Sequence, residues 1–152
     1  MHNIFTSVGA TNAHWVWTAN TSATGLTPMA QDFPGDAYVD WIGLECYNWG
    51  GNPGHTWQSL STVLGPSYTE AAALSSRPMM LSEVSSAEQG GSKADWITQG
   101  LLSTIPQSFP RVRAVVWFDW NEQYDWRINS SSASLSAFRA AVASPLYQGS
   151  VQ

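Results

Sequence analysis

Short apolar segments rich in β-branched and aromatic residues alternate along this chain with longer segments of helical character. Strands are predicted at about 12–18, 39–47, 79–83 and 112–118, and helices at about 2–8, 56–75, 93–105 and 134–143. A polar segment between Ala19 and Gly35 predicts a loop, and Ser92 is the predicted N-cap of the third helix. Apolar strands that alternate with helices indicate an α/β fold in which parallel strands are joined by right-handed crossovers.

The length and composition of the chain limit the classes of function. Its 152 residues suffice for one domain with a real core, and its nine Trp are an unusually large share. Since Trp is costly to expose, we expect about half of these rings to fill the core and the others to form a ligand surface. The net charge of −5, with no basic stripe, argues against a nucleic-acid partner.

The sequence predicts no targeting segment, disulfide or cofactor. No apolar run approaches the roughly 20 residues needed to span a bilayer, so no membrane association is predicted. Residues 1–5 carry no charged region followed by an apolar stretch, so no signal peptide is predicted in this chain. Cys46 is the only cysteine, which excludes an intrachain disulfide. Because His2, His14 and His55 lack zinc-ligand spacing, no metal or other cofactor is predicted.

Three of the predicted strands end in a carboxylate that lies among aromatic residues. These acids are Glu45, Glu83 and Asp119. Side-chain alternation along the strands places three residues on the same faces as these acids, respectively Tyr47, Leu81 and Trp117. If those faces point inward, the acids converge on the C-terminal rim of an α/β barrel, as expected of carboxylates that cleave glycosidic bonds. The alternative is that they cap helices or pair with Arg.

Several segments, in order along nearly the whole chain, carry a family resemblance. They are Trp15–Asn20, Pro34–Gly50, Arg77–Glu83, Gly91–Ile97, Val116–Asp119 and Asp125–Ser131. They resemble glycoside hydrolase family 26, which contains β-mannanases and some enzymes that cleave β-glucan and xylan on a (β/α)8 barrel. The resemblance covers only strands five to eight of that barrel. It therefore implies a half-barrel of four parallel strands with helices, formed by residues 1–152 as a single domain.

The resemblance also implies roles for individual residues. Glu83 matches the catalytic nucleophile at the end of strand seven, Tyr47 matches the tyrosine that contacts it, and Trp117 matches the aromatic floor of the sugar subsite. Glu45 and Cys46 stand where the family more often has Asp-Gly. The family's acid/base Glu, in a His-Glu-x-Asn stretch on strand four, has no counterpart in this sequence.

The acid/base partner of Glu83 is left open among three arrangements. A half-barrel leaves two open edges and an exposed apolar face, and a second copy about a two-fold axis would complete eight strands. In such a homodimer, the strand three positions before that of Glu83 ends in Asp119 of the second copy. The strand three positions after it ends in Glu45 of that copy. Glu45 of the same chain is the third arrangement.

The remaining predictions concern the substrate. The predicted substrate-binding residues are the stacking rings Trp17, Trp49 and Trp117 and the hydrogen-bonding side chains Asn20, Tyr47 and Asn48. Trp120 and Trp126 either extend this groove or fix the loop after the fourth strand. The resemblance implies endo-acting, retaining hydrolysis of a β-linked plant polysaccharide (mannan, xylan or β-glucan) by a secreted protein. The alternatives are a non-catalytic carbohydrate-binding remnant and a truncated barrel fragment.

Overall fold

The computed structural model describes residues 1–20 and 27–149 and contains a four-stranded parallel sheet. Its strands are β1 (Val16–Ala19), β2 (Trp41–Asn48), β3 (Met79–Ser86) and β4 (Val112–Trp117), paired in the order β1-β2-β3-β4. The helices are α1 (His2–Ser7), α2 (Met29–Asp32), α3 (Leu60–Leu74), α4 (Lys93–Gln99), α5 (Ile105–Ser108) and α6 (Ser132–Val142). A π-helical turn, Gly100–Thr104, joins α4 to α5, and a 3₁₀ turn covers Pro145–Tyr147. The predicted α/β fold with four parallel strands is confirmed.

Among the strands, the boundaries of β1 and β3 differ most from the prediction. β1 begins four residues later than expected (16 against 12), and β3 continues three residues further (86 against 83). Ser85 and Ser86 remain in β3 although both are fully buried, because each hydroxyl has a partner. Ser85 Oγ donates to the carbonyl of Trp126 at 2.7 Å, and Ser86 Oγ accepts from the side-chain amide of Asn48 at 2.9 Å. Such partners offset the cost of burying polar groups.

Three of the helices, α3, α4 and α6, begin at serine caps. Ser92 Oγ accepts the N–H of Asp95 at 3.1 Å, which confirms the predicted cap of α4. Ser59 Oγ accepts the N–H of Thr62 at 3.1 Å at the start of α3. Each cap satisfies an N–H group that has no partner within its helix. The predicted loop 19–35 contains α2, and its residues 21–26 lie outside the described residues.

The core lies between the sheet and the helices that follow β2 and β3. Fully buried apolar residues come from β2 (Ile42, Leu44, Cys46), β3 (Met79, Leu81, Val84), α3 (Leu64) and α4 (Ile97). Alternate residues of β2 therefore face the helices, and the residues between them face the opposite side. Among the helices of the described residues, none is long and apolar enough to cross a bilayer.

A β-bulge in β3 changes which face its later residues present. Leu44 pairs with Leu81 but Glu45 pairs with Glu83, so Ser82 is an extra residue in β3. The bulge puts Glu83 on the face opposite to Leu81, which lies in the core. The prediction that Leu81 and Glu83 share a face is wrong, because it assumed unbroken alternation.

A second bulge has the same effect in β4. The extra residue is Arg113, which lies between the partners of Met79 and Met80. Beyond this bulge, Trp117 pairs with the core residue Val84 and points toward the helices. The expectation that Trp117 lies on the face of the acids is therefore wrong.

The face of the sheet that points away from α3 and α4 carries two acids, and we call it the carboxylate face. It contains Thr18, Gly43, Glu45, Tyr47, Ser82 and Glu83. A Cβ at Gly43 would lie 2.5 Å from Thr18 Oγ1 and 2.9 Å from Ser82 Oγ. The side chains of Thr18 and Ser82 therefore meet over Gly43 of β2, where only glycine leaves room for them. This position is two residues before Glu45 along β2.

Candidate active site

Glu83 lies in the C-terminal half of β3, directly opposite Glu45 of β2. Tyr47, two residues further along β2, donates a hydrogen bond from its hydroxyl to Glu83 Oε2 at 2.6 Å. A short bond of this kind, from a hydroxyl to a carboxylate, fixes the orientation of the carboxylate. Burial, and next the hydrogen bond to Glu83, raise the pKa of Tyr47 above its ordinary value. The phenol therefore remains a donor at neutral pH.

Glu45 completes a pair of carboxylates on adjacent strands. Neighbouring strands lie about 4.8 Å apart, so directly paired residues present their side chains next to each other. Burial, and then the negative charge of Glu83, raise the pKa of Glu45 above its ordinary value. Two carboxylates in such an arrangement favour one proton between them. Glu45 is the acid whose environment favours the protonated form.

Aromatic rings surround the hydroxyl-bearing side chain of Tyr47. Ring centroids lie 5.2 Å away for Trp126, 5.7 Å for Phe118 and 6.1 Å for Trp49. Trp126 is only 3% exposed, and it packs edge-on against Trp49 at 5.0 Å. On its other side Trp49 stacks on His55, with centroids 4.9 Å apart and planes at 15°. Tyr47, which binds Glu83, is therefore flanked by an apolar wall of rings.

Metal chemistry has no evident ligand set in this region. Within residues 1–20 and 27–149, no group of three His, Cys, Asp or Glu side chains is arranged to hold a metal ion. Cys46 lies fully buried in the core, and burial raises the pKa of its thiol to about 12. The chemistry that the site supports is that of its two carboxylates and one phenol.

Comparison with known proteins connects this site to a family. No family model matches the chain. The chain is 41% identical over 143 residues to endoglucanase H of Acetivibrio thermocellus, a match that covers 92% of this chain and 16% of that protein. Its fold matches the structure of a GH26 β-mannanase from Bacteroides ovatus with a TM-score of 0.59 and 15% identity, over 99% of this chain and 46% of that chain. The resemblance to glycoside hydrolase family 26 is confirmed.

The chain spans less than half the length of either of these proteins. Of the residues that the family 26 resemblance singled out, Glu83 and Tyr47 are in direct contact. Glu45 and Trp49, predicted from the strand pattern, lie next to them. The structure thus brings four of the predicted residues together at the carboxyl ends of β2 and β3.

Asp119 does not join this group within the chain. Its Oδ1 accepts the backbone N–H of Ile128 at 2.7 Å, and its side chain is exposed beyond the end of β4. Its charge acts on Lys93 and Arg127. The expectation that Asp119 shares the face of Glu83 is wrong, because β4 ends at Trp117 and the Asp119 carboxylate binds the backbone of the following loop.

Trp117 belongs to the helix side of the sheet. Its ring packs edge-on against Trp96 of α4 at 6.2 Å and against Phe138 of α6 at 5.6 Å. The next residue, Phe118, has its ring against Tyr47. Trp117 therefore does not lie on the carboxylate face, where the sugar floor was expected.

Asn48 is a structural residue. Its side chain is fully buried, and its Oδ1 accepts the N–H groups of Gly50 at 3.2 Å and Gln58 at 3.0 Å. Its Nδ2 donates to Ser86 Oγ at 2.9 Å. Because these partners occupy both ends of a buried amide, the expected hydrogen bond to substrate is wrong.

Trp17 lies on β1, an outer strand of the sheet, and Asn20 directly follows that strand. Trp17 pairs with the core residue Ile42, and its ring packs edge-on against Phe33 at 5.1 Å. It therefore lies on the helix side of β1, which contradicts its expected role as a ring that stacks on the sugar. Asn20 is exposed directly after β1 and lines a groove with Asp32.

Three residues near Tyr47 were not assigned to the site from sequence. The ring of Phe118 packs against Tyr47, and that of Tyr124 lies 5.7 Å from Trp126. The negative charge of Glu122 contributes to the raised pKa of Tyr47. The signal that points to them is the density of aromatic and acidic residues just after β4. Of the two roles weighed for this loop, Trp126 is buried and fixes the loop, whereas Trp120 is 64% exposed.

Proposed function

We propose that residues 1–152 form one half-barrel domain, equivalent to strands five to eight of a (β/α)8 barrel, that acts as a glycoside hydrolase. The proposed reaction is endo-acting, retaining hydrolysis of a β-linked plant polysaccharide, either a mannan, a xylan or a β-glucan. The observation that carries the proposal is the hydrogen bond from Tyr47 to Glu83 beside a second carboxylate, Glu45. The names of the relatives, an endoglucanase and a β-mannanase, support this class of substrate.

In the proposed mechanism Glu83 is the nucleophile. One of its oxygens forms a bond to the anomeric carbon while the glycosidic bond breaks, and an acid transfers its proton to the leaving oxygen. The same acid, now a base, then takes a proton from water, whose oxygen displaces Glu83 from the sugar. Tyr47 holds the attacking carboxylate in one orientation through its hydrogen bond to Oε2.

Glu45 is the acid that the geometry supports best. Burial and the charge of Glu83 raise the pKa of Glu45, and a raised pKa is what a general acid needs at neutral pH. Its direct pairing with Glu83 is compatible with the roughly 5–5.5 Å carboxyl separation of retaining enzymes. Asp119 of a second copy is the weaker candidate, because Asp119 already accepts a hydrogen bond from Ile128.

Aromatic side chains next to the acids form the proposed sugar surface. The apolar face of a pyranose matches an indole, so Trp49 is a platform beside Tyr47 and Glu83. Trp120, which is 64% exposed after β4, extends that surface. Phe118 replaces Trp117 as the proposed ring below the sugar.

We further propose that a second copy of the chain completes the barrel. β1 and β4 are the outer strands of the sheet, and Val16 and Val116 on them are 43% and 50% exposed. Ser82 Oγ, on the carboxylate face, is buried without a hydrogen-bond partner in the described residues. A groove of about 320 Å³ follows β4 and is lined by Arg113 together with mostly apolar residues, among them Ile105, Pro106, Val112, Val115 and Tyr147. Eight strands related by a two-fold axis would pair both outer strands and cover this surface.

The test is reducing-sugar release from mannan, xylan, carboxymethyl cellulose and mixed-linkage glucan, with light scattering on the same samples. The variants are Glu83→Ala and Glu83→Gln, with Asp95→Asn as the control because Asp95 is exposed at the start of α4. We expect release that is lost in both Glu83 variants and kept in the control, from a particle of twice the chain mass.

Other outcomes separate the alternatives. Sugar binding without release, with affinity unchanged in Glu83→Gln, would support a carbohydrate-binding remnant. Release that is indifferent to Glu83 would refute the proposed nucleophile. A particle of single chain mass that releases sugar would refute the homodimer and leave the pair of Glu45 and Glu83 as the whole catalytic group.

A further inference from the structure

Lys93, the only lysine of the chain, is fully buried. It is the first residue of α4, where it follows the N-cap Ser92. A buried ammonium group is uncommon, because removing the charge from water is costly unless hydrogen bonds and opposite charges replace the water. The partners of Lys93 therefore indicate what the burial of this charge achieves.

The ammonium group binds one short segment after β4, which we call the return loop (residues 125–130). Lys93 Nζ donates to the carbonyl of Arg127 at 2.8 Å and lies 3.5 Å from the carbonyl of Asp125. It also donates to Ser130 Oγ at 2.9 Å, and Ser130 in turn donates to Glu88 at 2.7 Å. A single cation thus holds both ends of the return loop.

The residue between these two carbonyls is Trp126. Its own carbonyl accepts from Ser85 Oγ at 2.7 Å and from Trp117 Nε1 at 2.9 Å. Lys93 Nζ also lies 5.7 Å from the centroid of the Trp117 ring. Three successive carbonyls of the return loop are therefore fixed by side chains from β3, β4 and α4.

The fixed backbone sets the position of the Trp126 ring at the candidate active site. That ring is 3% exposed and lies 5.2 Å from the ring of Tyr47 and 5.0 Å from that of Trp49. Tyr47 donates to Glu83. A continuous set of contacts thus runs from the buried ammonium group to the carboxylate.

We propose that Lys93 is a positioning residue, whose buried cation fixes the return loop so that Trp126 holds Tyr47 in its hydrogen bond to Glu83. The catalytic part of this inference rests on the proposed function, and the loop-fixing part does not. Since Lys93 lies on the helix side of the sheet and does not touch the carboxylate face, its effect on the reaction is indirect.

The charges around the ammonium group are consistent with this role. Burial lowers the pKa of Lys93 to about 8, while the carboxylates of Glu88, Asp125 and Asp119 oppose that effect and Arg127 adds to it. Glu88 reaches the cation through Ser130, and Asp125 lies in the return loop itself. The nearby carboxylates, first that of Glu88 and then that of Asp125 in the return loop, thus favour retention of the proton.

The test compares Lys93→Met with Arg139→Met, which removes an exposed cation from α6. Hydrogen exchange measured by mass spectrometry follows the return loop against peptides from β2 and β3. We expect Lys93→Met to accelerate exchange in the loop at least about tenfold more than in the strands, since it removes charge-assisted hydrogen bonds. We also expect kcat to fall in Lys93→Met, with Arg139→Met unchanged in both measurements.

The two measurements separate failure of this inference from failure of the proposed function. Equal acceleration in loop and strands, or none in the loop, would overturn the positioning role whatever the activity. Loop acceleration in a chain that releases no sugar at all would support the loop role and count against the proposed function. Loop acceleration with unchanged kcat would overturn the link to Glu83. If Lys93→Met does not fold, Ser130→Ala is measured instead, and unchanged exchange in its loop would overturn the proposal.

Discussion

Replacing Asn48 by Ala tests whether this residue acts in the fold or at the substrate. The substitution removes the acceptor of the buried N–H of Gly50 and of the N–H of Gln58, whose side chain is exposed. It also removes the donor to Ser86 Oγ, but Ser86 keeps its own bond to the carbonyl of Ala87. The unsatisfied buried N–H of Gly50 is therefore expected to lower the free energy of unfolding by about 1–3 kcal/mol. The N–H of Gln58 contributes less, because water can replace its lost acceptor.

With the small cavity that Ala leaves, we expect the free energy of unfolding to fall by a total of about 3 kcal/mol. At about 2–4 °C per kcal/mol for a chain of this size, the melting temperature falls by about 6–12 °C. The assay is urea unfolding followed by tryptophan fluorescence, with the m-value compared to show that only stability has changed. Asn12→Ala is the control, because Asn12 is exposed before β1. A loss below about 1 kcal/mol, or lost sugar affinity at unchanged stability, would refute the structural role.

Further predictions concern packing and charge. Gly43→Ala, which puts a Cβ 2.5 Å from a neighbouring hydroxyl, is expected to destabilise by about 1–3 kcal/mol. Urea unfolding that shows no loss of stability in Gly43→Ala would contradict this packing. Folding raises the pKa of Glu45 above 4.5, so above that pH the folded chain binds more protons than the unfolded chain. The contribution of Glu45 to the free energy of unfolding is therefore lost as the pH rises through the folded pKa. Glu45→Gln should therefore raise the unfolding midpoint more at pH 7 than at pH 4, and an equal change at both would count against the raised pKa. Folding lowers the pKa of Lys93 from 10.5 to about 8, so between these two pH values the unfolded chain binds this proton and the folded chain does not. The contribution of Lys93 to the free energy of unfolding therefore rises with pH in that range. A titration of the single lysine side chain by NMR, with a midpoint near 10.5, would contradict this.

The sequence predicts the fold well where the signals are local. The alternation of four apolar strands with helices was enough to predict a parallel sheet. The position of Ser92 directly before α4 was enough to predict its cap. Within β2, simple alternation also places Glu45 and Tyr47 together, because β2 itself carries no extra residue. These properties depend on neighbours in the chain.

The face of a residue in β3 or β4 depends on bulges that the sequence does not signal. The extra residues Ser82 and Arg113 each reverse the alternation that follows, so Glu83 joins Glu45 while Trp117 turns to the helices. One added residue moves every later side chain of a strand to the other face. Only the paired strand reveals where that residue lies.

Buried polar contacts are also set by distant segments. The partners of Asn48 include a serine of β3, and the return loop is held by a lysine of α4. Read alone, an Asn at a strand end beside aromatic residues is equally suited to a sugar hydroxyl. The three-dimensional partners decide between the two roles.

The central claim is that Glu83, held by Tyr47, is the nucleophile of a retaining glycoside hydrolase. The most direct measurement is incubation of the chain with an activated 2-deoxy-2-fluoro glycoside, followed by mass spectrometry of the intact protein and its peptides. We expect one sugar adduct, located on Glu83 and absent from Glu83→Gln. An adduct on Glu45, or sugar release from polysaccharide without any adduct, would contradict it.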